Sequence, residues 1–337
     1  MKAWVLYGVN DLRYEEREIP EIREGEVLLR VEAAGICGSD IPRIYDTGAH
    51  VHPLIPGHEF AGTVVESADS ALLGKRMGVF PLIPCKECEM CRQKKYEMCR
   101  NYNYLGSRCD GGFGEYVRVP VWNLIELPPE ITFEQAACLE PLSVAVHAVR
   151  RSQITVGESA VIIGFGTIGA LVALVLRSQG IENITAIVNK QSHEKLALAL
   201  GLRVEYHDVC TAAGNVVFEC VGRQENVAQA IESALPEGRV VTVGNPHSDI
   251  HLNRNVYWKI LRGQLKLIGT WNSSFAKEED DDWHQAVQLL RNNSEMMSKI
   301  ITHCLPLEQL ERGLHIMRDK TEAYEKIIES NRVPAKE

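Results

Sequence analysis

The chain lacks an excess of positive charge and lacks any long apolar stretch free of glycine. Its 337 residues carry a formal net charge of −9, which argues against nucleic acid as a partner. The longest apolar run, residues 160–176, is interrupted by three glycines, unlike a membrane-spanning helix. The opening run MKAWVLYGVNDLRYEE is too short and too polar for a signal peptide. We therefore expect a cytoplasmic protein with no nucleic-acid or membrane partner.

Cysteines are clustered at one place in the chain. Four of the ten fall in CKECEMCRQKKYEMC, as Cys85, Cys88, Cys91 and Cys99. In a reducing compartment they are expected to be free thiols or metal ligands rather than disulfides. Four thiolates would complete the tetrahedral coordination of Zn²⁺, so such a site is structural and has no position for a substrate. Unliganded surface thiols and an iron–sulfur cluster are the alternatives, and zinc is favoured over both.

The pattern of apolar segments predicts two domains, which is also what the length suggests. Over residues 146–272, β-branched strands alternate with amphipathic helices, a pattern typical of an α/β, doubly wound parallel sheet. Residues 1–145 consist of short alternating segments with frequent glycine and proline, which predicts a mostly β domain. Residues 273–337 have no sheet of their own to complete, so we expect them to return to the first domain.

A glycine-rich turn opens the α/β region. Gly164, Gly166 and Gly169 form G-x-G-x-x-G around Thr167 and Ile168, after the strand AVII and before a helix. The first glycine allows a tight turn, the second admits a pyrophosphate, and the third lets the helix pack on the strand. The hexapeptide alone is weak evidence, but the repeated strand-helix units around it favour dinucleotide binding.

A second possible metal site lies in the β region. GICGSD and PGHEFAG place Cys37, His58 and Glu59 beside glycine-permitted bends. Three protein ligands leave zinc an open position, which favours ionisation of a bound water or alcohol near neutral pH. Taken singly, such residues are more often core or salt-bridge residues than ligands.

Five strings occur in the order found in zinc-dependent medium-chain alcohol and polyol dehydrogenases: ICGSD, PGHEFAG, the four-cysteine segment, CLEPLSVAVHA and GFGTIG. The chain resembles this family over nearly its whole length. Its longer strings CGSDIPRIYDTGAH, PLIPGHEF and YLGSRCDGGFGEYV are most similar to polyol and polyol-phosphate dehydrogenases. The resemblance implies a GroES-like catalytic domain (1–145 and 273–337, with a zinc lobe at 85–99) and a Rossmann domain (146–272) with a cleft between them. It also implies oxidation of a secondary alcohol to a ketose. A homodimer or homotetramer is expected.

Residue roles follow from this resemblance. Cys37 and His58 match catalytic zinc ligands, and Glu140 of CLEP matches a glutamate that approaches the metal. Glu59 is either a ligand or the residue that orients one. Ser39 matches the hydroxyl that passes the substrate proton outward.

The acidic residue that normally anchors the adenosine ribose is missing. Val188 stands nineteen residues after Gly169, at the place of that carboxylate, and Asn189 and Lys190 follow. A carboxylate there would repel a 2′-phosphate, whereas Lys190 would attract one. We therefore predict that NADP is accepted and preferred over NAD. A further departure is the short segment between HDVCTAAGN and VVFECVG, which leaves little room for a crossover helix.

Two arginines are candidates for substrate binding. Arg43 follows Cys37, and Arg108 lies in GSRCDGG, so either could contact a substrate phosphate. The alternative is that both are surface arginines. Two other functions are kept open at this point: a zinc-ribbon interaction protein, which would hold only the four-cysteine zinc, and a zinc-free NADPH quinone reductase.

Overall fold

The computed structural model describes residues 1–246 and 248–331. The chain divides into two compact units. The first contains Met1–Glu140 and the chain from Ser274 onward, and the second is Pro141–Ser273. The assignment of residues 1–145 with 273–337 to a catalytic domain, and of 146–272 to a cofactor-binding domain, stays a prediction.

The strands of the described residues are, in chain order, β1 (Lys2–Gly8), β2 (Asp11–Glu16), β3 (Glu26–Gly35), β4 (Glu59–Ser67), β5 (Arg76–Val79), β6 (Leu82–Ile83), β7 (Asn103–Tyr104), β8 (Tyr116–Pro120), β9 (Leu124–Glu126), β10 (Ala160–Ile163), β11 (Ile184–Val188), β12 (Arg203–Tyr206), β13 (Gly214–Glu219), β14 (Ala234–Thr242), β15 (Lys266–Gly269), β16 (Ile301–Leu305) and β17 (Lys326–Ser330).

The α-helices are α1 (Asp40–Tyr45), α2 (Glu89–Arg92), α3 (Phe133–Ala136), α4 (Leu139–Ser152), α5 (Thr167–Ser178), α6 (Gln191–Ala199), α7 (Gln224–Glu232), α8 (Arg254–Gly263), α9 (Asp282–Asn292), α10 (Ser294–Ile300) and α11 (Leu310–Asp319). None of the helices in the described part of the chain has the length and apolar character needed to span a membrane.

The first unit is organised around β3. A seven-stranded sheet has the order β16-β17-β3-β4-β5-β9, and β8 also pairs with β3. Apolar side chains from its strands, among them Leu29, Val31 and Phe60, form a buried core. The last strand, β17, pairs antiparallel with the end of β3, with Ile328 opposite Gly35. The C-terminal segment therefore returns to the first unit, as predicted.

The second unit holds a parallel sheet of six strands in the order β12-β11-β10-β13-β14-β15. This is the order of a doubly wound dinucleotide-binding fold, with the reversal beside the first strand, β10. All four residues of β10 are buried, because helices cover both faces of such a sheet. The predicted α/β fold class is confirmed.

Three local details of the chain bear on the prediction. The segment TFEQAACLEPLSVAVHAVRR forms two helices, α3 and α4, and a capping box between Thr132 and Gln135 starts the first. Helix α8 was missed, although Asn253 is its N-cap residue. The Oδ1 atom of Asn253 accepts hydrogen bonds of 3.0 Å from the backbone N–H groups of Asn255 and Val256. The short crossover between β12 and β13 is confirmed: it contains only the 3₁₀ turn His207–Val209.

Candidate metal and cofactor sites

The four clustered cysteines converge on one point. The Sγ atoms of Cys88 and Cys91 lie 3.6 Å apart, those of Cys85 and Cys91 3.9 Å, and those of Cys88 and Cys99 4.0 Å. All four Sγ atoms lie within 4.8 Å of one another. The hairpin of β6 and β7 closes the base of this lobe, and the short helix α2 carries Cys91.

This donor set fits zinc. Zn–S bonds of about 2.3 Å in a tetrahedron place sulfur atoms about 3.8 Å apart, which matches the separations seen here. The four thiols are free rather than joined as disulfides. Backbone N–H groups of Arg100 and Cys91 lower the pKa of Cys88 to about 6, so a thiolate forms readily at that position. Four thiolates would complete the coordination sphere of zinc, so this site would leave no position for a substrate.

Cys37, His58 and Glu59 form a second group whose ligand atoms lie within 4.8 Å of one another. The sheet brings them together, since Cys37 follows the end of β3 and Glu59 begins β4, and Glu59 is opposite Gly35 in the β3–β4 register. A Cβ at Gly35 would collide with the Glu59 carboxylate and would come within 2.9 Å of the Lys326 side chain. Glycine at position 35 therefore leaves the space that the side chains of Glu59 and Lys326 occupy.

Asp40 supports this group from the first turn of α1. Its Oδ2 accepts a 2.9 Å hydrogen bond from the backbone N–H of Cys37, and its Oδ1 lies 3.5 Å from His58 Nδ1. The second distance is that of an ion pair rather than a close hydrogen bond, and Nδ1 has no hydrogen-bond partner among the described residues. Burial opposes the charge on His58, but the carboxylate of Asp40 and the thiol of Cys37 raise its pKa well above 6.5. A cation, whether a proton or a metal ion, is thus favoured on this imidazole.

Glu59 has a charged partner of its own. Lys326, on β17, forms an ion pair with Glu59, and both side chains are 2% exposed. Burial opposes the ammonium charge, but the Glu59 carboxylate raises the pKa of Lys326 above its ordinary value. Lys326 also donates a 3.0 Å hydrogen bond to the carbonyl of Ile36, next to Cys37.

Glu140 lies close to the same group but outside its 4.8 Å limit. It is 8% exposed, and its Oε1 accepts a long 3.5 Å hydrogen bond from Tyr104 Oη. Burial raises the pKa of Glu140 to about 7, with His58 lowering and Glu59 raising it. The ring of Tyr104 lies 5.9 Å from that of His58. The structure therefore brings all four predicted residues of this site into one buried region, with Cys37, His58 and Glu59 nearest to one another.

The Ser39 hydroxyl lies beside the predicted ligand Cys37. Its Oγ donates to Cys37 Sγ at 3.3 Å, and its backbone N–H does so at 3.5 Å. Both residues are half-buried. Ser39 is thus placed in contact with one of the three residues of the metal group and is still partly exposed.

The glycine-rich turn follows β10 in the second unit. Gly164 has a φ of +86°, which an L-residue with a side chain rarely adopts. A Cβ at Gly166 would meet no atom within 4 Å, so its face is open, whereas one at Gly169 would collide with the carbonyl oxygen of Gly164. Gly166 is the N-cap residue of α5, and Thr167 and Ile168 form its first turn. An open glycine at a helix N-terminus is suited to a pyrophosphate.

Val188, Asn189 and Lys190 lie at the carboxyl end of β11. Val188 is 1% exposed, while Asn189 and Lys190 are exposed, and Lys190 is the residue that precedes the first turn of α6. Burial, and then the charge of Lys190, lower the pKa of His193 to about 4, so His193 lies near that lysine and is neutral.

The two predicted substrate arginines are both in the first unit but have different surroundings. Arg43 forms an ion pair with Asp40, and its side chain is 15% exposed. Arg108 stacks over the ring of Tyr102, with its Cζ 4.7 Å from the ring centroid.

Sequence reasoning missed three residues of the metal region: Asp40, Tyr104 and Lys326. Asp40 lies within the quoted string CGSD, so its position three residues after Cys37 was available as a signal. Tyr104 is likewise the first residue of the quoted string YLGSRCDGGFGEYV. Lys326 had no local signal, because only the pairing of β17 with β3 brings it to Glu59.

Comparisons with known proteins agree with this arrangement. Residues 23–129 match the family model described as alcohol dehydrogenase GroES-like domain. Residues 134–323 match the model described as glucose dehydrogenase C-terminus. The chain therefore belongs to the zinc-type, medium-chain alcohol dehydrogenase family and is an oxidoreductase. The predicted combination of GroES-like and Rossmann folds is confirmed.

Individual relatives cover nearly the whole chain. Galactitol 1-phosphate 5-dehydrogenase of Escherichia coli strain K12 is 34% identical over 317 residues, covering 88% of this chain and 91% of that protein. Sorbitol dehydrogenase of Bombyx mori is 30% identical, covering 94% and 95% of the two chains.

Solved structures give the same picture. The crystal structure of galactitol-1-phosphate dehydrogenase from Escherichia coli superposes with a TM-score of 0.90 at 30% identity, covering 98% of this chain and all of that one. A zinc-binding dehydrogenase from Sinorhizobium meliloti 1021, bound to NADP, matches with a TM-score of 0.89 at 26% identity, covering 98% of each chain. The predicted resemblance to polyol and polyol-phosphate dehydrogenases is confirmed.

Proposed function

We propose that this oxidoreductase oxidises a secondary alcohol of a polyol or polyol phosphate to a ketose, with NADP as the hydride acceptor. The observation that carries this proposal is the convergence of Cys37, His58 and Glu59 within 4.8 Å in the GroES-like unit. Asp40, which lies beside His58 and accepts from the backbone of Cys37, supports it. The zinc-ribbon and quinone-reductase alternatives are not supported, because neither accounts for this second group together with the relatives named above.

Each residue of the metal region has its own role in this proposal. Cys37 and His58 would hold zinc, Asp40 would orient His58, and the Lys326 ammonium neutralises Glu59 so that the buried site does not accumulate negative charge. A zinc ion held there would supply Lewis-acid chemistry, which eases removal of the alcohol proton. In this oxidation the alcohol carbon would give a hydride to the oxidised nicotinamide, and Ser39 Oγ, which lies beside Cys37, would take the alcohol proton and pass it outward. Ketose, reduced cofactor and one proton are the products.

We assign a second zinc ion to Cys85, Cys88, Cys91 and Cys99, giving about two per chain. This ion has a structural role only. Its thiolates fill the coordination sphere, so its removal should affect folding rather than chemistry.

The cofactor preference rests on the end of β11. With Val188 buried in place of a carboxylate, there is no charge at this position to repel a 2′-phosphate. Lys190 is exposed at the start of α6, where its ammonium would attract one.

The oligomer proposed here is a homodimer. Strand β15 is an edge of the six-stranded sheet, and Leu267 on it is 51% exposed. Trp271, two residues after β15, is 53% exposed, and Tyr257 and Leu261 on α8 are 54% and 57% exposed. An exposed apolar edge strand is a template for pairing, and antiparallel pairing of two β15 strands about a two-fold axis would cover it. Light scattering of the purified protein, which measures its molar mass in solution, tests whether it is a dimer.

The function is tested by offering a panel of polyols, polyol phosphates and simple secondary alcohols to the zinc-loaded enzyme with NADP or NAD. Nicotinamide absorbance reports turnover directly. The proposal predicts oxidation of polyols or their phosphates, with a higher kcat/KM for NADP. Turnover of none of these alcohols by a zinc-loaded, dinucleotide-binding protein would contradict it.

A further inference from the structure

The loop that carries Arg108 is fastened to the segment that carries His58. Three backbone hydrogen bonds of 2.7–3.0 Å run from the N–H groups of residues 111–113 to carbonyls of residues 55–57. Asp110 adds a fourth by accepting the N–H of Ile55 at 2.9 Å. A Cβ at Gly106 or Gly111 would collide with the carbonyl of Gly57, so glycine allows the two backbones to lie in contact. Arg108 is therefore held in a fixed relation to the predicted metal ligand.

Aromatic side chains also connect Arg108 to His58. Arg108 Cζ lies 4.7 Å over Tyr102, whose ring is 6.2 Å from that of Tyr104. Tyr104 in turn is 5.9 Å from the ring of His58. Stacking on Tyr102 restricts the guanidinium before any ligand arrives, which reduces the entropy lost on binding.

Arg108 has no anionic partner among the described residues. Its Nε is buried and has no hydrogen-bond partner there, and no ion pair engages its guanidinium. A half-buried arginine with free donors costs free energy unless an acceptor is supplied from outside the chain. This distinguishes Arg108 from an ordinary surface arginine, whose donors are solvated.

His50 lies beside the same loop. Its backbone N–H donates to the carbonyl of Ser107 at 3.4 Å, and its exposed side chain makes no hydrogen bond or ion pair with another described residue. Burial, and then the charges of Arg108 and Arg43, lower the pKa of His50. The guanidinium charges of Arg108 and Arg43 thus both act on His50, and none of the described carboxylates is paired with His50 or Arg108.

Arg43 has a different part, because its guanidinium is already engaged. It forms an ion pair with Asp40, whose side chain is fully buried and whose Oδ1 also faces His58 Nδ1. Arg43 therefore adds to the local positive potential, but its close contact is with Asp40, the carboxylate beside His58.

We propose that Arg108 and His50 form a subsite for the phosphate group of a polyol phosphate, and that Arg43 is a positioning residue acting on His58 through Asp40. This inference rests on the proposed function and selects the phosphorylated substrates within it. Guanidinium donors match phosphate oxygens in pairs, and the imidazole adds a third donor. The phosphate is bound on the loop bonded to residues 55–57, which places the rest of the polyol toward the metal group.

The test measures binding and turnover of galactitol 1-phosphate and of free galactitol, using zinc-loaded wild type and the variants Arg108→Gln, Arg108→Lys and His50→Gln. Calorimetry gives affinities that do not depend on turnover, and inorganic phosphate serves as a competitor. Arg13→Gln is the matched control, since Arg13 also stacks over a tyrosine, with its Cζ 4.6 Å from the ring centroid of Tyr7, but is paired with Asp11. Thermal unfolding shows whether each variant is folded.

Wild type and Arg13→Gln should bind the phosphorylated polyol at least about tenfold more tightly than the free one, as loss of a charge-assisted hydrogen bond implies. Arg108→Gln and His50→Gln should remove most of that ratio by weakening the phosphate ester alone, and Arg108→Lys should keep part of it. Arg43→Gln should lower kcat and zinc content and leave the ratio near its wild-type value.

Equal affinity of wild type for galactitol and its phosphate, or an unchanged ratio in Arg108→Gln and His50→Gln, would overturn the subsite. Loss of the ratio in Arg43→Gln would overturn the role given to that arginine. These outcomes are separate from failure of the proposed function, in which no alcohol is turned over although calorimetry still reports phosphate binding.

Discussion

Lys326 and Glu59 form a buried ion pair that joins the last strand of the chain to the predicted catalytic metal group. Both side chains are 2% exposed, although 267 residues separate them in sequence. Gly35 leaves the space in which they meet. The pair links Glu59 to the C-terminal strand β17. Lys326 also donates to the carbonyl of Ile36, so the same side chain holds the segment before Cys37.

Removing one partner of this pair should destabilise the fold. Lys326→Met leaves the Glu59 carboxylate buried without its cation, which typically costs about 3–5 kcal/mol. Chemical denaturation of the zinc-free protein measures the free energy of unfolding. The control is Lys75→Met, which breaks the pair with Glu126, both partners being 45% or more exposed, and should cost about 0–1 kcal/mol. Equal effects of the two substitutions would show that the buried pair has no special role.

The four-thiol lobe should matter for stability and not for chemistry. Cys99→Ala removes one of the four ligands, so the purified variant should contain about one zinc fewer per chain and unfold at a lower temperature. Its catalytic zinc should remain. Cys304→Ala, which removes an exposed thiol outside the group, should change neither quantity. If Cys99→Ala is as stable as wild type and has lost only turnover, the two zinc sites have been assigned the wrong way round.

Lys190 should favour NADP over NAD. Lys190→Ala removes the ammonium at the start of α6, so kcat/KM for NADP should fall about tenfold or more, while that for NAD should change little. Lys195→Ala, an exposed lysine on the same helix, is the control and should leave both values unchanged. Strict use of NAD by the wild type would rule out the predicted preference, and equal losses for the two cofactors would remove Lys190 from it.

Glu329 should make stability fall as pH rises. Its side chain is 0% exposed, and neither carboxylate oxygen has a hydrogen-bond partner among the described residues. Burial, and then the charge of Glu308, raise its pKa well above 4.5, so the folded state binds this proton more tightly than the unfolded state does. The stability contributed by the protonated form is complete below the unfolded pKa and decreases above it, by at most about 1.4 kcal/mol per pH unit.

Glu329→Gln tests this dependence, because it keeps the size of the side chain and cannot ionise. The free energy of unfolding of the variant relative to wild type should increase between pH 5 and pH 8, flattening once the folded-state pKa is passed. Denaturation curves at several pH values provide the comparison. A difference that stays constant over this range would show that Glu329 does not titrate as described.

The sequence predicted features whose residues lie close together in the chain. The cysteine lobe, the glycine turn after β10 and the alternation of strands and helices are local patterns, and the chemistry of each is visible in a short string. The ion pair of Lys326 with Glu59 is not local, since it depends on β17 pairing with β3.

The roles of individual polar residues were harder to predict than their presence. Arg43 and Arg108 looked equivalent in sequence, yet one is bound to Asp40 and the other is stacked on Tyr102 without an acid partner. Which groups an arginine contacts depends on loops that meet only in the folded chain.

The zinc content and turnover of wild type and His58→Ala, measured on the same preparations, test the central claim most directly. Wild type should hold about two zinc ions per chain, whereas His58→Ala should hold about one, lose turnover and still bind the nicotinamide dinucleotide, because the glycine turn lies in the other unit. A folded His58→Ala protein that keeps the full zinc content and oxidises polyols at the wild-type rate would contradict the assignment of the catalytic zinc to Cys37 and His58.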